Sequence, residues 1–193
     1  MNKVQKIRQM VSEKAKKGDE FSEFFFDYHV SVVVKYALAL ARKLGADREV
    51  VEIAAWLHDS TIGTHGNKEH NITGAQEAER LMRKLGYPEN KIKMVAHAIL
   101  SHRCKKGYFP RTLEAKILAT ADAVAHLDTF MFLPWIAKRN GLGVKETFEW
   151  IAEKFDRDWE KKIFFPQTKK SVRGKFQTRK KLLDETLKFL ETG

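Results

Sequence analysis

The sequence predicts an all-α protein, a single compact helical bundle. Apolar residues recur at spacings of three and four along nearly the whole chain, and no segment of useful length alternates as a strand would. Helix punctuation falls between those stripes: Gly45 and Gly86 as stops, Asp47 and Thr112 as caps, Pro88 in a first turn. The 193 residues, 43% apolar and 32% charged, suit one domain with a sizeable core.

Taken in order, Val4, Ile7, Met10 and Val11 mark a first amphipathic helix ending near Gly18. A second is expected from about Asp27 to Leu44, turning Val30, Val33, Val34, Ala37, Leu38 and Ala41 inward. Asp47 caps a third, with stripe Val51, Ala54, Ala55 and His58. Ser60 to His70 holds Gly63, Gly66 and several polar residues and reads as a loop. A fourth helix, from about Asn71 to Leu85, buries Ala75, Ala78, Leu81 and Met82. A fifth runs from Pro88 to about Arg103 through Ile92, Val95, Ala96 and Ile99.

After a loop at Lys105 to Arg111, Thr112 caps a sixth helix reaching about Asp128, with stripe Leu118, Ala121, Asp122 and Ala125. The aromatic-rich stretch Phe130 to Ile136 reads first as core, with a pocket wall or homodimer interface as alternatives. A long helix from Val144 to Ile163 presents Phe148, Ile151, Phe155 and Trp159. Leu182, Leu183, Leu187 and Leu190 form a last helix beyond a basic loop. This divides the chain into residues 1–24, 25–130 and 131–193, all within one structural domain.

Four ionisable residues stand apart. His29 shares a face with Val33, Tyr36 and Leu40, and Asp122 lies on a stripe rich in alanine. His58 and Asp59 end their helix where the backbone turns into the loop. Such groups on buried stripes are costly unless paired or bound to metal. Two imidazoles and two carboxylates from three helices make a divalent-cation site.

The order His29, His58–Asp59, Asp122 sits in the contexts "YHVSVVVKYALALARKLGA", "VVEIAAWLHDS" and "LEAKILATADAVAHLD". With them the chain resembles the HD-domain superfamily of metal-dependent phosphohydrolases over roughly residues 25–130. The resemblance implies that His29, His58, Asp59 and Asp122 ligate one divalent cation inside a helical bundle. Branches of that family add histidines for a second metal or for substrate phosphate. His70, in "EHNITGA", and His102, in "AHAILSHR", are the favoured candidates, and His97, off the helical stripe, ranks lower. His65 reads as surface and His126 as a hydrogen-bonding neighbour of Asp122. Many relatives follow His–Asp with Ile–Gly and a lysine; here Ser60–Thr61 precede Ile62–Gly63 and no lysine follows closely. Arg103, Lys105, Lys106 and Arg173 are the cations that would meet substrate in its place.

The implied reaction is hydrolysis of a phosphomonoester or phosphoanhydride, most simply of a nucleotide. Asp59 or Asp122 would help orient the water, and Arg103 would stabilise charge on the phosphoryl oxygens. Mixed imidazole and carboxylate ligation admits Mn, Fe, Ni, Co, Mg or Zn, one ion or two. Net charge is +11, and Lys169, Lys170, Arg173, Lys175, Arg179, Lys180 and Lys181 stand together without an acidic residue. That block raises an alternative, a metal-containing regulatory or nucleic-acid-binding module without turnover. One cysteine, Cys104, no secretory h-region and no apolar run long enough for a bilayer lead to the expectation of a cytoplasmic protein without a membrane span.

Overall fold

Helices form along most of the predicted stripes in the computed structural model, which describes residues 1–62 and 69–192. Among the described residues there is no strand. Asn2 caps α1 (Lys3–Lys16), accepting from the Gln5 N–H while the Gln5 side chain accepts from the Asn2 N–H. Asp19 caps α2 (Glu20–Phe25). The helix continues through a π-helical turn at Phe26–Val30 into α3 (Ser31–Leu44), which Gly45 ends in the left-handed conformation. It therefore starts about two turns earlier than predicted. The wide turn has a local partner, since the Ser31 hydroxyl donates to the Phe26 carbonyl at 3.1 Å. Glu20–Leu44 is thus 25 residues long and, by length and hydropathy alone, apolar enough to cross a bilayer, which the count of apolar runs missed. Its apolar residues Phe21, Phe25, Val30, Val33, Val34, Ala37 and Ala41 are buried in the core.

Asp47 caps α4 (Arg48–Leu57) through the Glu49 and Val50 N–H groups. Then come α5 (His70–Lys84), α6 (Glu89–Ser101) and α7 (Leu113–Asp128), the last capped by Thr112. Residues 63–68, including His65 and most of the predicted loop, lie outside the described residues. A 3₁₀ turn (Phe130–Phe132), α8 (Leu133–Arg139), α9 (Val144–Lys161) and α10 (Pro166–Thr192) complete the chain. The basic stretch does not form a loop before a short last helix. It lies within α10, a continuous helix of 27 residues.

The axis of the bundle is α7, with α3, α4, α6, α9 and α10 against it. Its alanines let those neighbours approach, and every residue from Ala115 to Leu127 except Lys116 is buried. The basic side chains of α10 serve largely as ties to the body. Lys175 pairs with Asp128 and Lys180 with Asp156. Arg179 donates to the Leu127 carbonyl and lies over Phe130, while Lys169 and Arg173 lie over Trp159. The stretch 130–136 divides by residue: Phe132 and Leu133 are core, while Met131 and Trp135 are exposed.

Candidate metal centre and its pocket

The π-helical turn carries His29 into the interior, where it is fully buried against Phe25 and Phe132. His58 sits at the C-cap of α4, also fully buried. Its Nδ1 lies 2.8 Å from the Ala55 carbonyl, which can only accept, so Nδ1 donates and Nε2 faces inward. His102 at the C-cap of α6 repeats the arrangement, with Nδ1 2.6 Å from the Ile99 carbonyl. His70 opens α5 and is buried. Its position is fixed by Thr61, whose hydroxyl lies 3.2 Å from the His70 carbonyl and 3.0 Å from the Thr73 hydroxyl.

These side chains converge on Asp59. Its Oδ2 lies 3.6 Å from His29 Nε2 and 3.3 Å from His58 Nε2. Its Oδ1 lies 3.1 Å from His70 Nε2 and 3.6 Å from His102 Nε2. Asp122 completes the set from α7, with Oδ1 3.3 Å from His29 Nε2 and 3.9 Å from His58 Nε2. All four residues of the ordered set, together with His70 and His102, therefore meet at one place. His97 does not: it accepts a hydrogen bond from the Arg111 N–H at 3.1 Å and holds the loop before α7. Arg173 lies over Trp159 rather than on the site.

Charge in the cluster is strongly coupled. Burial alone would push the Asp59 carboxyl up, but the imidazoles of His58 and His70 hold it well below the usual carboxylate range. Asp122 is likewise held low against burial by His126, Lys162 and His29. Burial pushes His102 well below the ordinary imidazole value, which keeps it neutral. Neither ring nitrogen of His29, nor His58 Nε2, nor Asp59 Oδ1 has a hydrogen-bond partner, although all are buried. Such orphaned donor atoms, aimed at one another, fit a divalent cation. Groups of ligand atoms within 4.8 Å of one another occur at His29, His58 and Asp59, and again at Asp59, His70 and His102.

The cluster opens into a cavity of about 350 Å³. Arg103, Lys105 and Lys106 line it, and Phe25, Phe132, Ile136 and Trp150 supply apolar wall. The second half of α9 lines it as well, through Lys154, Arg157, Asp158 and Lys161, with Lys162 just past the helix. This wall escaped the sequence reading. Lys162 is buried and paired with Asp122 Oδ2, and it stands 3.6 Å from Asp158 Oδ1. Asp158 in turn lies 2.7 Å from His126 Nδ1. Residues 151, 155, 158 and 162 share one helical face, so buried charges interleaved with Ile151 and Phe155 were the available signal. Thr120 fixes the end of α9 by donating to the Lys162 carbonyl at 3.0 Å and accepting from the Phe164 N–H at 3.1 Å. Cys104 also lines the cavity, but burial pushes its thiol up to about 11, which leaves it inert.

Known structures share this architecture. A hydrolase of the HD superfamily from Bacillus thuringiensis matches over 99% of this chain and 98% of its own, with TM-score 0.68 and 18% identity. Bacillus subtilis YpgQ, solved in complex with ADP, matches over 98% and 97%, with TM-score 0.65 and 18% identity. By sequence, the chain is 30% identical over 115 residues to a tRNA (cytidine(56)-2'-O)-methyltransferase of Picrophilus torridus. That match covers 54% of this chain and 33% of the relative, so the chain spans about a third of its length. The model of the HD domain matches residues 26–127, the stretch that carries His29, His58, Asp59 and Asp122, and the chain belongs to the HD domain family.

Proposed function

We propose that the protein is a metal-dependent phosphohydrolase that cleaves a phosphomonoester or phosphoanhydride, most simply of a nucleotide. The observation that carries the reading is the cluster of orphaned imidazole and carboxylate atoms opening onto a cavity walled by cations. His29, His58, Asp59 and Asp122 would hold one cation. Asp59, His70 and His102 would hold a second. When bound, a divalent cation supplies a water of lowered pKa and polarises a phosphoryl oxygen.

The remaining work falls to the protein. Arg103, Lys105 and Lys106 line the cavity together with Lys154, Arg157 and Lys161 and would bind phosphoryl oxygens. Lys162 holds Asp122 Oδ2, which leaves Oδ1 turned to the imidazoles. Trp150 and Phe132 offer apolar surface to the rest of the substrate. The ADP complex of the B. subtilis relative supports a nucleotide, and a single buried cysteine supports a reducing, cytoplasmic setting. The nucleic-acid reading gains little from α10, whose cations are largely engaged within the chain. The test is metal analysis followed by a phosphate-release screen of nucleotides with the bound metal. Asp59→Ala is expected to lose metal and turnover while keeping its helical circular dichroism. Full turnover in that variant would sink the assignment.

A further inference from the structure

Three buried histidines present themselves to this site in the same manner. Nδ1 of His58 and of His102 each sits on a backbone carbonyl, and Nδ1 of His126 sits 2.7 Å from the Asp158 carboxylate. Asp158 stands 3.5 Å from Lys154 and 3.6 Å from Lys162, two cations that keep it a carboxylate and so only an acceptor. Nδ1 of His126 must therefore donate, which turns Nε2 toward the cluster. That nitrogen lies 3.3 Å from Asp122 Oδ1, the same oxygen that His29 Nε2 approaches at 3.3 Å. The two rings are parallel within 7°, with centroids 5.1 Å apart. Two imidazole nitrogens converging on one carboxylate oxygen form a ligand set, and the ligand atoms of His29, Asp122 and His126 are all within 4.8 Å of one another.

We infer that His126 is a further metal ligand, on the cation held by His29 and Asp122, and that Asp158 is the positioning residue that sets its ring. The inference rests on the metal reading above. A carboxylate behind a ligating imidazole fixes its tautomer and raises its basicity. Asp158 lies beyond residues 26–127, so the C-terminal extension supplies this control and not the segment matched by the family.

The test is a Co²⁺ titration of the full chain, read by calorimetry and by the visible d–d bands, in wild type, His126→Gln, Asp158→Asn and His58→Ala. His126→Gln is expected to bind more than tenfold more weakly and to change the bands at one equivalent. Asp158→Asn should lose about tenfold. If His126→Gln keeps wild-type affinity and bands while His58→Ala loses binding, the ligand role is overturned and the metal reading stands. If wild type takes up no Co²⁺, or His58→Ala binds as tightly as wild type, both fall. Circular dichroism and thermal melting establish first that each variant folds. Should His126→Gln fail to fold, Asp158→Asn decides, and wild-type affinity there overturns the inference.

Discussion

At the scale of residues, the site is governed by which nitrogen of each imidazole is already engaged. Ala55 and Ile99 hold Nδ1 of His58 and His102 with carbonyls, so both rings offer Nε2 to Asp59. Burial lowers the His58 pKa, but the carboxylates of Asp59 and Asp122 outweigh it and hold it at about 9, above the ordinary 6.5. A raised imidazole stabilises the metal-free fold fully below about 6.5, and that contribution is lost as pH climbs through about 9. A metal needs the same Nε2 without its proton, so affinity should rise across that window and level off above it. Calorimetric titration at pH 7.5, in buffers of different protonation heat, should show proton release on binding. Binding with no proton released and no pH dependence would contradict the assignment of His58. The ordered set was legible in the sequence because helical spacing placed His29, His58 and Asp122 on apolar stripes. The destination of each Nδ1 was not, because it depends on backbone carbonyls and on a carboxylate, Asp158, 32 residues away from His126.

Among the elements, helix ends carry most of the chemistry. His58 and His102 are C-cap residues and His70 is the first residue of α5, so each projects where its backbone turns away. The approach of α5 to α4 depends on Gly74. A Cβ there would meet the His58 carbonyl at 3.3 Å, Ile99 Cγ2 at 3.4 Å and Thr61 Oγ1 at 3.6 Å. Gly74→Leu should therefore push α5 away and take His70 with it, at a cost of about 1–3 kcal/mol. Urea denaturation should show a lower midpoint, and bound metal per chain should fall. An unchanged midpoint and metal count would show that α5 has room to spare. Amphipathic stripes revealed most helices, since a core-facing surface repeats every turn. They missed the π-helical turn at Phe26–Val30, where the backbone period itself changes, and the continuity of α10, whose basic stretch carries only Val172 as a buried residue.

The molecule as a whole uses its C-terminal third to close the site. Lys162, Asp158 and Lys154 on α9 form one wall of the cavity, and α10 straps α9 from behind by stacking Phe176 on Trp159, ring centroids 4.3 Å apart. Ending the chain after Phe165 would remove the buried Val172 and Leu183 as well as that stack. The expected loss is about 5 kcal/mol. It would be read as a lower urea midpoint and an earlier shift of tryptophan emission, and an unchanged midpoint would show that α10 is an ornament to the fold. By itself, the sequence determined the all-α class, the order of the main helices and the convergence of His29, His58, Asp59 and Asp122, because periodicity and caps are local properties of the chain. Only the tertiary structure decided that His70 and His102 join Asp59, that His97 and Arg173 stay away, and that Lys162 and Asp158 reach the site. Those outcomes depend on how α5, α6 and α9 pack against α4 and α7, and contacts between distant segments leave no period in the sequence.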